Sequence, residues 1–171
     1  LRVSLTVENG SLLDEANSYV SVSDTRTFAT ARGITLPATD AAVEVLLTKA
    51  LDYIEALRAE FQGNKLSAAQ SLQWPRTGVI VDGFPVDTNE IPDVLPKAQA
   101  QLACDVYALG TLMPVGDGRV VIEERVDGAV DIKYADHGDN NPQPQLTAAR
   151  HLLAPLLLGG ESVGFGVSVR V

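Results

Sequence analysis

Residues 39–63 read TDAAVEVLLTKALDYIEALRAEFQG, and the spacing of their apolar positions decides the fold class. Val43, Leu46, Leu47, Ala50, Ile54, Leu57 and Phe61 recur at intervals of three and four residues, which places them on one stripe of a 3.6-residue period. The spacing predicts a helix over 40–62, opened by Thr39-Asp40 and closed by Gly63, the residue type that most readily takes a left-handed stop. Asp52, Glu55, Arg58 and Glu60 fall on the opposite face, which reads as solvent or a polar subunit seam.

Working outward, three more helices are expected. Ser21 or Ser23 caps one over about 24–32, with Gly33 as its stop. A second spans about 92–113 and starts at Pro92 or Pro96, since proline is accepted in a first turn. It turns Ala98, Leu102, Ala103, Val106, Leu109 and Met113 inward, flanked by Cys104 and Tyr107. A third runs over about 147–158, kinked by Pro155 and ended by Gly159-Gly160. Alternation at Val3, Leu5 and Val7 predicts a short strand, and Ser67 with Gln70 three residues on predicts a capping box and a short turn of helix. Asp82-Gly83 between apolar runs predicts a small hairpin with Pro85 at an edge, and Asp127-Gly128 centres a clearer one over about 120–134. Residues 137–144 form a polar linker rich in chain breakers. The expected architecture is mainly α: a small four-helix bundle with one or two β-hairpins and extended termini. Residues 1–158 form its domain and residues 159–171 an extended C-terminal tail.

Composition narrows the function classes. At 171 residues the chain fits one domain that buries roughly two-thirds of its unfolded surface. Aromatic residues make up only 5%, so the core falls to Leu, Val, Ile and Ala. Cys104 is the sole cysteine, which precludes an internal disulfide and a cysteine-based metal site and points to a reducing cytoplasm as the place of folding. No apolar run is long enough to span a bilayer, so no membrane partner is expected. His137 and His151 are the only histidines: the first reads as part of a solvated linker, the second as a helix-surface or half-buried residue. Gly159-Gly160 and Gly164-x-Gly166 follow a helix instead of opening one, the wrong order for a phosphate cradle. No nucleophile motif surrounds Cys104, Ser162 or Ser168. The expectation is a protein that is not an enzyme and carries no cofactor and no metal. Its net charge of −9, from 22 acidic and 13 basic residues, disfavours a binder that draws affinity from neutralised phosphates.

Trp74, the only tryptophan, lies in Leu72-Gln73-Trp74-Pro75-Arg76. An indole there pins a loop against helices, as a core plug or as a subunit contact shared with Arg76. Around this knot stand Asn17-Ser18-Tyr19-Val20-Ser21, Gln62-Gly63, Leu66-Ser67-Ala68-Ala69-Gln70 and Leu153-Ala154-Pro155-Leu156-Leu157. In order and spacing, from about Leu5 to about Leu158, the chain resembles the tailed-bacteriophage head–tail connector (adaptor) proteins, a family often labelled DnaT-like single-stranded-DNA-binding proteins. It departs from that pattern by a second proline, Pro96, after Ile91-Pro92.

The resemblance implies a structural virion protein made in the host cytoplasm and placed at the head–tail junction. Its partners would be itself in a ring, dodecameric to match the portal, the portal protein, and a tail or stopper protein, with double-stranded DNA passing through unbound. An acidic lumen suits such passage because it repels phosphates. The alternative is the single-stranded-DNA-binding module of the customary label, which needs a basic groove with stacking aromatics. Val163, Phe165, Val167, Val169 and Val171 alternate with Gly164, Gly166, Ser168 and Arg170, giving a strand with one apolar edge. It pairs either within its own chain or by addition to a partner's sheet, the second being what the resemblance implies.

Overall fold

The computed structural model describes residues 5–112, 121–126, 130–134 and 146–159. Four helices lie among the described residues: α1 (Val22–Thr30), α2 (Asp40–Ala56), α3 (Val94–Leu109) and α4 (Thr147–Leu153). Single 3₁₀ turns follow α2 at Leu57–Ala59 and α4 at Ala154–Leu156. Six strands form three antiparallel pairs: β1 (Asn64–Lys65) with β2 (Arg76–Thr77), β3 (Ile80–Val81) with β4 (Phe84–Pro85), and β5 (Val121–Val126) with β6 (Val130–Tyr134).

The expected four-helix bundle is not what forms. Helix α3 is a central post against which α1, α2 and α4 each pack, whereas the backbone of α4 does not come close to that of α1 or α2. Length explains the difference. At 1.5 Å per residue, α1 with nine residues spans about 13 Å and α4 with seven about 10 Å, too short to line the long pair α2 and α3 from end to end. Loop residues fill the remaining volume: Tyr19, Val20, Leu36, Phe61, Leu72, Trp74 and Val79 join the helical residues in one core.

Local chemistry sets the boundaries. Ser21 caps α1 by accepting the Asp24 N–H at 3.0 Å. Its far end closes with Gly33 (φ +70°) and two reversed bonds, Gly33 N–H to Thr30 and Ile34 N–H to Ala29, the pattern of a Schellman stop. Helix α2 stops at Ala56, short of the expected 62. Beyond it the chain is drawn into pairing with the segment after α4: Gln62 N–H donates to Leu156 at 2.9 Å, Leu158 N–H donates to Glu60 at 2.6 Å, and Phe61 bridges Leu157. Helix α3 begins at Val94, with Pro96 in its first turn, and ends at Gly110 (φ +82°), short of the expected 92–113. Leu109, expected inward, is 53% exposed. The α2 stripe is buried as its spacing predicts.

The expected strand at Val3, Leu5 and Val7 reduces to one bridge between Val7 and Ser18 among the described residues. Ser67 and Gln70 make one half of a capping box, the Gln70 Oε1 accepting the Ser67 N–H at 3.0 Å, while the Ser67 hydroxyl accepts the Ala69 N–H at 3.2 Å, and they close a turn and not a helix. In the β3–β4 hairpin, Asp82 (φ +52°) and Gly83 (φ +81°) are both left-handed, the signature of a two-residue type I′ turn. The 121–134 hairpin pairs with a register shift between Val121 and Glu123. The Asp127-Gly128 turn, the 137–144 linker and the 160–171 tail lie outside the described residues.

Candidate functional site

The segments that carry the resemblance converge on one buried polar clamp. Tyr19 follows the Val7–Ser18 bridge and is 2% exposed. Its hydroxyl donates to the Glu55 Oε1 at 2.7 Å and accepts the Trp74 N–H at 3.1 Å. Both Glu55 oxygens accept the Gln73 N–H at 3.1 Å. One glutamate on α2 thereby holds two separate loops. Burial, then the neighbouring Glu55 charge and its hydrogen bond, pushes the Tyr19 hydroxyl well above its ordinary range, so it remains a donor.

A second polar residue ties the other side. Gln99, on α3, has no exposed surface. Its Oε1 accepts the Tyr19 N–H at 2.7 Å and the Ser18 hydroxyl at 3.3 Å, while its Nε2 donates to the Leu47 carbonyl at 3.1 Å. A buried amide that lost these partners would be costly, so the network fixes how the 17–21 segment sits on α2 and α3.

Arg76 belongs to the same construction. Its Nε donates to the Gln62 carbonyl and one Nη to the Gly63 carbonyl, both at 2.7 Å. Burial lowers its pKa, opposed by Tyr19 and Glu55. A guanidinium stays charged even so. Gly63 must be glycine there: its φ is +64°, and a Cβ would meet the Thr77 carbonyl oxygen at 2.1 Å. Trp74 is fully enclosed and meets Phe61 edge to face at 5.7 Å between centroids. The Trp74–Pro75 peptide is cis. The indole thus takes the core-plug position and offers a partner no area, and Arg76, 6% exposed, spends its donors on its own chain. Val163, Phe165, Val167, Val169 and Val171 lie outside the described residues, so nothing places them beside this knot.

Three residues in these arrangements escaped the sequence reading. The helical period places Glu55 on the outer face, whereas it is half-buried under Tyr19. Gln99 carried a signal, a polar residue inside the Ala98-to-Val106 stripe. Glu8, 4% exposed, gathers the N–H groups of Gly10, Leu12 and Leu13 at 2.8–3.1 Å and so shapes its own loop.

Among the described residues no three His, Cys, Asp or Glu side chains group as metal ligands, and no helix is long and apolar enough to cross a membrane. Cys104 is buried, and burial pushes its thiol up to about 11. His151 stands exposed on α4. One cavity of about 290 Å³ opens beside α1, lined by Arg26, Ala29, Gly33, Ile34 and Leu36 among others, and another of about 190 Å³ is lined by Lys49, Asp52 and Leu112 among others.

No curated protein and no solved structure matches the chain. A family profile described as "Putative DnaT-like ssDNA binding protein" matches residues 3–171. The clamp that joins residues 17–21, 62–63 and 72–76 thus lies within a match spanning nearly the whole chain, which belongs to this DnaT-like family.

Proposed function

We propose that the protein is a structural subunit of a head–tail connector, a ring of about twelve copies that sits on a portal, receives the next tail component and lets DNA pass. The observation that carries this reading is that the aromatic and cationic residues of the clamp are spent inside the fold, although Phe84 and Tyr107 stand exposed elsewhere. Tyr19, Phe61 and Trp74 are buried, Arg76 is bonded to carbonyls, and Arg26 is held by Asp40 at 3.0 Å. A nucleic-acid groove needs such groups at the surface. The net charge of −9 suits a wall that DNA slides past. The order and spacing of the clamp segments support the same reading, and the alternating tail supplies an arm of suitable chemistry for strand addition to the portal.

The second reading is single-stranded-DNA binding, which the family's description favours. The two differ in one titration. Labelled single-stranded DNA at physiological salt should bind more weakly than about 10⁻⁴ M, the loose end of non-specific binding. Tight, salt-dependent association would favour the second reading over the first.

A further inference from the structure

The β5–β6 hairpin has two unlike faces. Its register pairs Arg125 with Asp131 and Glu123 with Lys133, so one face carries two cross-strand pairs of opposite charge. On the other face Val126 lies opposite Val130, and Glu124 opposite Ile132. The register shift between Val121 and Glu123 then sets Val121 opposite Tyr134, so the bulge prolongs this apolar face by one more pair. The backbone of neither strand comes close to that of any other helix or strand among the described residues. A two-stranded hairpin is marginal in water and gains independent stability from a third strand or a packing partner.

The rest of the chain narrows what that strand can be. Outside the described residues lie 1–4, 113–120, 127–129, 135–145 and 160–171. The first and third are shorter than β6 itself. Residues 113–120 are broken by Pro114, Gly116 and Gly118, and residues 135–145 contain Pro142 and Pro144 and no aliphatic residue larger than Ala135. Residues 160–171 contain no proline, and Val163, Phe165, Val167, Val169 and Val171 alternate through them. As a strand, 163–171 would extend about 30 Å, enough to run the length of β6. The bulge disturbs the edge of β5, which leaves β6 as the regular edge. Hairpin and tail are also tethered, one on each side of α4, so pairing within the chain runs at an effective concentration on the order of millimolar.

We propose that residues 163–171 add to the edge of β6 in their own chain as the third strand of this sheet. The alternating valines and Phe165 join the apolar face, and Gly164, Gly166 and Ser168 fall on the face of the charge pairs, where their small size leaves those pairs uncrowded. The pairing holds whether or not a ring forms. On the ring reading, addition of the tail to a portal is an exchange of one sheet edge for another.

The test is hydrogen exchange on the full chain, read by mass spectrometry in peptides covering 121–134 and 161–171. Val167→Pro removes a ladder donor from the middle of the added strand, whereas Val167→Thr keeps it. Both segments should exchange at least about tenfold faster in Val167→Pro than in the wild type, with Val167→Thr like the wild type and peptides from α2 and α3 unchanged. Fast exchange of either segment in the wild type overturns the proposal, as does protection that survives Val167→Pro. Faster exchange in α2 and α3 as well overturns it, because the tail would then belong to the helical core. Wild-type protection that is lost on about 100-fold dilution overturns it too, since the third strand would then come from a second copy.

Discussion

At the scale of single residues, the protein spends its most distinctive side chains on itself. Trp74 makes an edge-on contact with Phe61 and has no exposed surface, so Trp74→Ala should cost about 3–5 kcal/mol, measured by urea unfolding. An unchanged midpoint would contradict its burial. Tyr19→Phe tests the clamp: it leaves the Trp74 N–H without its acceptor and removes one of the two donors to the Glu55 Oε1, for an expected loss of about 1–3 kcal/mol. The same change carries a pH signature. The Tyr19 hydroxyl ionises at higher pH when folded than when unfolded, so its contribution is complete below the unfolded value of about 10 and is lost as pH rises toward the folded value. The wild type should therefore lose stability above about pH 10 more steeply than Tyr19→Phe, and parallel alkaline limbs would contradict the clamp. The sequence made Trp74 legible as an anchor because it stands alone before a proline. It could not show which helix positions would meet a loop polar group, which is why Glu55 was read as a surface residue.

At the scale of elements, helical periodicity was legible where helices are long and unreliable at their ends. The α2 stripe from Val43 to Phe61 is buried as read, and Asp82-Gly83 makes the turn its dipeptide predicts. Helix α2 nevertheless stops at Ala56 because residues 60–62 gain backbone partners in 156–158, a contact some 95 residues away in sequence that no local signal announces. The β1–β2 pair was missed for the same reason, since two-residue strands have no period to read. Its closeness is testable through glycines. At Gly83 a Cβ meets nothing within 4 Å, so Gly83→Ala should cost only the left-handed backbone, about 1–2 kcal/mol. Gly63→Ala adds a collision with the Thr77 carbonyl and should cost about 1–3 kcal/mol more. Equal losses in thermal unfolding would contradict the close approach of β1 and β2.

At the scale of the whole molecule, two long helices, two short ones and core-forming loops surround one buried polar clamp. The four-helix bundle expected from the sequence failed because helix count was legible while the lengths of α2, α3 and α4 were not, α1 alone having the nine residues expected. The proposed account is one of assembly, in which a self-clamped, acidic chain serves as a ring subunit. Its central claim is most directly tested by the mass of the protein in solution with its portal, measured by light scattering on the separated complex. The account predicts a mass above that of the portal alone by about twelve copies of this chain. Portal of unchanged mass, with this chain running free beside it, would contradict it.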